Sequence, residues 1–260
     1  MSVAPGQHDT WFRRFGQASP DAVKLVALPH AGGSAPYFMP LARVLTPELD
    51  VVCAQYPGRQ DRHREPLVDT VDALADQLYE ALITEPSRRL VLFGHSMGAV
   101  LAYEMARRLE RDGGGELLGV IASGRRSPSR YREETVHQRD DDGLIAEIRE
   151  LSGTDPGVLD DEELLRMVLP ALRADYRAIE TYQHQPGDPL RSPITTLTGE
   201  SDARVSLEEA RAWEELTSGA FRFQSFPGGH FYLNGQQAAV TQAIRDSVTA
   251  FQETTAPAQP

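Results

Sequence analysis

Cysteine is almost absent from these 260 residues: Cys53 stands alone. A single thiol cannot close an internal disulfide, and within the strand-like run Val51-Val52-Cys53-Ala54 it reads as a buried structural group rather than a second nucleophile. Long apolar runs are missing too. None approaches the roughly 20 residues that a membrane-spanning helix needs. Met1 to Thr10 lacks the basic segment followed by an apolar core that marks a secretory leader. These absences together lead us to expect a cytoplasmic protein. Lysine occurs once, at Lys24, so nearly all positive charge is arginine. The 26 basic residues are outnumbered by 38 acidic ones, for a net charge of −12. That balance argues against a general nucleic-acid binder. No internal repeat is present, and biased composition is confined to the tail Thr254 to Pro260, expected to be disordered.

With 40% hydrophobic and 25% charged residues, the chain can bury the core of one α/β domain spanning residues 1–260. Apolar strand-like runs alternate with segments of helical periodicity, the pattern of a mainly parallel sheet covered on both faces. Helices are expected over Thr70 to Ile83, Met97 to Arg111, Ser206 to Glu215 and Gln236 to Phe251, and a strand over Leu117 to Ala122. The alternation breaks between Gly124 and Pro193. That stretch carries two helix patterns, one from about Asp142 to Leu151 and one from an Asp160 N-cap, with Glu163 completing its capping box, to near Tyr182. An insertion there, about residues 125–190, lies over the carboxyl ends of the strands and is expected to form a lid. Most of its apolar residues, among them Leu165, Leu169, Leu172 and Ile179, are expected to pack onto the body.

Chemistry concentrates at Gly94-His95-Ser96-Met97-Gly98, which follows the strand-like Leu90-Val91-Leu92-Phe93 and precedes a helical pattern. A strand, a sharp turn and a helix with serine at the apex is the layout of a nucleophile elbow. Its strained turn exposes the hydroxyl, and small residues two before and two after let strand and helix approach. Ser96 is the candidate nucleophile. The Met97 amide at the helix start is a candidate oxyanion donor. A serine alkoxide is inaccessible at neutral pH without a base, and two later turns supply partners. Asp202 follows the β-branched run Ser192 to Gly199. His230 lies in Pro227-Gly228-Gly229-His230-Phe231, after the alternating Phe221 to Phe226. The order serine, acid, histidine is that of α/β-hydrolases. Glu200, in the same turn as Asp202, is the rival acid. Asp202 is not needed to cap the next helix, because Ser206 with Glu209 forms a capping box there. His8, His63, His137 and His184 stand in polar contexts that suit solvated rings. A second oxyanion donor is expected from the loop after the first strong strand, Pro29-His30-Ala31-Gly32-Gly33-Ser34, with the Ala31 amide as candidate.

Leu28-Pro29-His30-Ala31-Gly32-Gly33-Ser34-Ala35, Tyr56-Pro57-Gly58-Arg59, Gly94-His95-Ser96-Met97-Gly98-Ala99 and Pro227-Gly228-Gly229-His230-Phe231-Tyr232-Leu233 together resemble type II thioesterases, the free-standing editing hydrolases of polyketide synthases and nonribosomal peptide synthetases. The resemblance runs from about Val23 to Phe251. It implies an α/β-hydrolase fold with a helical lid, and hydrolysis of acyl groups from the phosphopantetheine arm of acyl or peptidyl carrier proteins. By motif it makes Ser96 the nucleophile, His230 the base, Asp202 the acid, and the Ala31 and Met97 amides the oxyanion hole. No cofactor or metal is implied. One motif departs: the family's Gly-Asp-x-Asp-Pro turn reads Gly199-Glu200-Ser201-Asp202-Ala203, without the proline. A medium-chain fatty acyl thioesterase, a carboxylesterase and a non-catalytic carrier-binding module remain alternatives. The arginines at 59, 62 and 64 and at 125, 126, 130 and 132 are either docking contacts for an acidic carrier or solvated loop residues.

Overall fold

The computed structural model describes residues 7–85, 89–151 and 162–255. Seven strands build one sheet: β1 (Phe12–Arg14), β2 (Val23–Leu28), β3 (Leu49–Ala54), β4 (Arg89–His95), β5 (Glu116–Ser123), β6 (Ile194–Gly199) and β7 (Phe221–Phe226). Their spatial order is β1-β3-β2-β4-β5-β6-β7. Only β1 runs antiparallel to its neighbour, and every other pairing is parallel. The helices are α1 (Gln7–Trp11), α2 (Met39–Leu45), α3 (Val71–Ile83), α4 (Met97–Asp112), α5 (Asp141–Leu151), α6 (Glu162–Thr181), α7 (Leu207–Arg211), α8 (Tyr232–Gly235) and α9 (Gln237–Thr255).

The apolar run of β2 and the β-branched run of β6 are buried from end to end, as expected when both faces of a parallel sheet are covered. The two-residue period divides each strand between two cores. Val26, Leu28, Leu90, Leu92 and Val120 face α3 and α4. Leu25, Ala27, Val91, Phe93 and Ile121 face α2 and α9. Edge strand β7 alternates half-buried and exposed residues instead. Thr70 caps α3 by accepting from the Ala73 amide, and Ser206 and Glu209 form the expected capping box on α7. The helix expected up to Glu215 is α only as far as Arg211 and tightens to a 3₁₀ turn over Ala212–Leu216.

Chain order along the sheet fixes where a ligand can sit. From β2 the chain moves to β3 on one side and then to β4 on the other. This reversal leaves a crevice at the carboxyl ends of β2 and β4, where the Pro29–Ser34 loop and Ser96 emerge. Between β5 and β6 come α5 and α6. Leu144 and Ile148 of α5 pack with Leu165, Leu169 and Leu172 of α6 and with Val136 in a cluster of their own. The apolar residues of this insertion therefore mainly satisfy one another, contrary to the expectation that they pack onto the body, because two amphipathic helices can bury facing stripes as a pair. Ile179 does join the main core. The expected caps of α6 at Asp160 and Glu163, and tail residues 256–260, lie outside the described residues and side chains. Thr254 and Thr255, expected in a disordered tail, continue α9, where the Thr254 hydroxyl donates to the Ala250 carbonyl.

Candidate active site

Ser96 adopts φ 56° and ψ −116° between β4 and α4. Left-handed backbone is costly for a residue other than glycine, so the surroundings must enforce it. Crowding accounts for this. A Cβ on Gly94 would come within 1.9 Å of the Gly98 carbonyl oxygen, and a Cβ on Gly98 within 1.9 Å of the Leu28 carbonyl oxygen. Helix α4 thus presses against the ends of β4 and β2 at contacts only glycine permits. The Ser96 amide donates to the Ser123 carbonyl at 2.8 Å, tying the turn to β5.

The three side chains predicted to meet do so. His230 Nε2 lies 3.0 Å from Ser96 Oγ, and His230 Nδ1 lies 2.9 Å from Asp202 Oδ2. The acid side chain is wholly buried and the imidazole nearly so, which keeps water from competing for the hydrogen bonds. The other Asp202 oxygen, Oδ1, accepts from the Arg204 amide at 2.8 Å. Glu200 is exposed and accepts from the Ser225 hydroxyl at 3.3 Å; its carboxylate does not bond the imidazole. Backbone hydrogen bonds hold the Gly199–Ala203 turn, which lacks the proline. The Glu200 amide donates to the Phe226 carbonyl and the Ser201 amide to the Gly228 carbonyl, binding the turn to the loop that carries His230.

The Ala31 and Met97 residues flank the same serine, Ala31 in the loop after β2 and Met97 as the first residue of α4. In that loop the Gly32 amide donates to Asp175 Oδ2 and the Gly33 amide to the His30 carbonyl. A cavity of about 50 Å³ borders Ser96, Ala31 and His230 and is roofed by Tyr176 and Ile179 of α6. Its wall carries charge as well: Arg125 and Glu134 contribute to it, and burial pulls the Arg125 guanidinium down to about 10, so it stays charged at neutral pH. On the outer side of His230 an open cleft of about 650 Å³ runs between Leu151 and the Pro227–Phe231 loop.

Several features had no signal in local sequence. His95, beside Ser96, is fully buried. Its Nδ1 lies 2.9 Å from Ser123 Oγ, which lies 2.7 Å from the Tyr232 hydroxyl. Its ring packs 5.2 Å from that of His230. Burial, then the charges of His230 and His30, hold its pKa well below the ordinary range. His30 is also buried, against Tyr37 and Phe231, and burial together with the charges of His230 and Arg59 lowers it to about 3. Two histidines expected to be solvated are not. His8 is only 8% exposed, packed on Phe12, and His137 Nδ1 lies 2.5 Å from the buried Glu180 carboxylate. Of the arginines left open, most are paired. Arg59 bonds Asp175, Arg62 bonds Glu65 and covers the Trp11 ring, Arg126 bonds Glu134, and Arg130 and Arg132 bond Glu215 and Glu209.

No group of three or more potential metal ligands occurs among the described residues, and none of the described helices is long and apolar enough to cross a membrane. The model of the thioesterase domain family matches residues 23–248. A probable cadicidin biosynthesis thioesterase of Streptomyces griseus is 52% identical over 92% of this chain, which spans 66% of that protein's length. Thioesterase PikA5 of Streptomyces venezuelae is 48% identical over 91% of this chain and 84% of its own. Among solved structures, the type II thioesterase BorB from the borrelidin biosynthetic cluster superposes with a TM-score of 0.87, at 48% identity, over 92% of this chain and 98% of that one. The chain therefore belongs to the thioesterase family, as a type II thioesterase of the α/β-hydrolase fold, an enzyme that hydrolyses thioester bonds.

Proposed function

We propose that the protein removes acyl groups from the phosphopantetheine arm of acyl or peptidyl carrier proteins, clearing aberrant or stalled chains in polyketide or nonribosomal peptide synthesis. The observation that carries the reading is the hydrogen-bonded chain Ser96–His230–Asp202 beneath the α5–α6 insertion. Ser96 is the nucleophile. As its Oγ attacks the thioester carbonyl, the hydroxyl proton passes to His230 Nε2, and Asp202 holds the imidazole in the tautomer that can accept it. The Ala31 and Met97 amides stabilise the oxyanion. Collapse breaks the C–S bond, and His230 returns the proton to the departing sulfur. A thiol with a reference pKa of about 8.5 leaves more readily than an alcohol. Water, deprotonated by the same imidazole, then attacks the acyl-enzyme and releases the acid with regeneration of Ser96.

The insertion acts as a lid over Ser96, and Arg125 and Glu134 line the chamber beneath it. The test is mass spectrometry of carrier proteins loaded with several acyl groups, before and after exposure to the enzyme. Loss of the acyl mass with wild type and its retention with Ser96→Ala is expected. Carriers that stay loaded while a matched p-nitrophenyl ester is cleaved would make the protein an esterase.

A further inference from the structure

We propose that Asp175, on α6, is a positioning residue for the oxyanion hole, acting through the loop that carries Ala31. The inference rests on the reading of Ala31 as an oxyanion donor and adds what holds that donor in place. Asp175 is 1% exposed in its side chain and Arg59 is 9% exposed. The two form a fork: Arg59 Nη1 donates to Asp175 Oδ2 at 2.5 Å and Nη2 to Oδ1 at 2.8 Å. Both partners also grip the loop. Asp175 Oδ2 accepts from the Gly32 amide at 2.7 Å, and Arg59 Nη1 donates to the Gly33 carbonyl at 3.1 Å.

The geometry of the peptide bond turns this grip into an orientation. In a planar trans peptide the N–H points opposite to the C=O. The His30 carbonyl accepts from the Gly33 amide at 2.9 Å, which aims the Ala31 N–H away from the turn. The next peptide plane, Ala31–Gly32, is fixed by the Asp175 carboxylate. Both planes flanking the Ala31 Cα are thereby held, one by the turn and one by α6. Gly32 has φ +77°, and a Cβ there would lie 2.5 Å from Leu172 Cδ1, so α6 also leaves the loop no room to relax toward it. A buried ion pair adds little net stability over apolar residues of the same shape. What this one supplies is bidentate geometry at the hole.

Misplacing a group in the reaction by about 1 Å can cost on the order of 100-fold in rate, and losing an oxyanion donor outright costs about 100- to 1,000-fold. With a short-chain acyl thioester of N-acetylcysteamine as substrate, Asp175→Ala is expected to lower kcat about 10- to 100-fold with KM changed less than about 3-fold. Asp175→Asn, whose carbonyl still accepts from Gly32, is expected to fall between. Removing one partner leaves a buried unpaired charge and destabilises the fold, so a second variant separates the two effects. Arg59→Met with Asp175→Leu removes both charges and is expected to recover thermal stability while kcat stays low. A short-chain trifluoromethyl ketone gives a readout specific to the hole. Ser96 Oγ adds to the ketone carbon, its proton passes to His230, and the hemiketal oxygen carries the negative charge. The ionisation pKa of that hemiketal, followed by fluorine NMR, is expected to rise in each Asp175 variant. A wild-type hemiketal pKa in these variants, or recovery of kcat along with stability in the double variant, would overturn the proposal. A wild-type enzyme that forms no adduct, or Ser96→Ala that still turns over, would instead defeat the site assignment beneath it.

Discussion

Replacing Asp202 by asparagine tests the acid assignment with a magnitude that follows from its two hydrogen bonds. Oδ1 accepts from the Arg204 backbone amide at 2.8 Å and Oδ2 faces His230 Nδ1 at 2.9 Å. The amide donor at Arg204 still needs an acceptor in the variant, so the asparagine oxygen is held there and its NH₂ is turned toward the imidazole. A donor facing Nδ1 forces the proton onto Nε2. That nitrogen, 3.0 Å from Ser96 Oγ, then has no lone pair to receive the serine proton. Wrong-tautomer substitutions of this kind cost about 10⁴ in kcat, equivalent to about 5.5 kcal/mol of transition-state stabilisation. The fold should tolerate the change, since both side chains have the same shape and the Arg204 bond is kept. Glu200→Gln, by contrast, alters an exposed side chain bonded only to Ser225 among the contacts described, and should leave kcat within about twofold. Steady-state hydrolysis of a short acyl thioester, with released thiol captured by a chromogenic disulfide, measures both. An Asp202→Asn enzyme within tenfold of wild type, or a Glu200→Gln enzyme as impaired as Asp202→Asn, would refute the reasoning and move the acid two residues upstream.

Three further outcomes follow from packing and charge. Gly98→Ala drives a methyl into the Leu28 carbonyl oxygen, an unyielding backbone atom, and should destabilise the protein by about 3 kcal/mol or more, read as a lowered urea midpoint or loss of soluble expression. His30 is buried and neutral with its pKa lowered to about 3, against 6.5 for the free group. The unfolded chain therefore gains a proton below pH 6.5 that the folded chain refuses, and stability falls as pH drops from 6.5 toward 3, by on the order of 5 kcal/mol in full. Urea titrations across that range should show a shallower acid loss in His30→Phe, and an unchanged slope would count against a buried neutral ring. Arg130 pairs with Glu215 at the surface, both side chains close to half exposed, so Arg130→Ala should change unfolding free energy by less than about 1 kcal/mol.

What sequence reasoning could reach, and what it could not, divides along a physical line. Ser96, Asp202 and His230 each follow a strand end, and those strands announce themselves by an apolar run in β4, a β-branched run in β6 and alternation in β7, so the three residues were legible from the punctuation between them. Glycines two before and two after the serine carried real steric information, since both approaches would clash with a single added carbon. The edge strand β1, three residues with two arginines, was not legible, because its pairing with β3 depends on a neighbour about 40 residues away. Helix α2, seven residues starting at Met39-Pro40, is too short to show a period. The same limit hid Asp175, which reads as one more acidic residue on an amphipathic helix. Only the fold brings it to Arg59, 116 residues earlier. The α5 side of the insertion repeats the pattern: the Glu147 carboxylate, 1% exposed, pairs with Arg204, whose own amide holds Asp202 Oδ1. Two carboxylates from one insertion thus reach two separate parts of the candidate site, the loop that carries Ala31 and the turn that carries Asp202. Polar residues on helices reveal their partners only through tertiary contact, so reading this coupling requires the coordinates, whereas reading the triad requires only knowing where strands end.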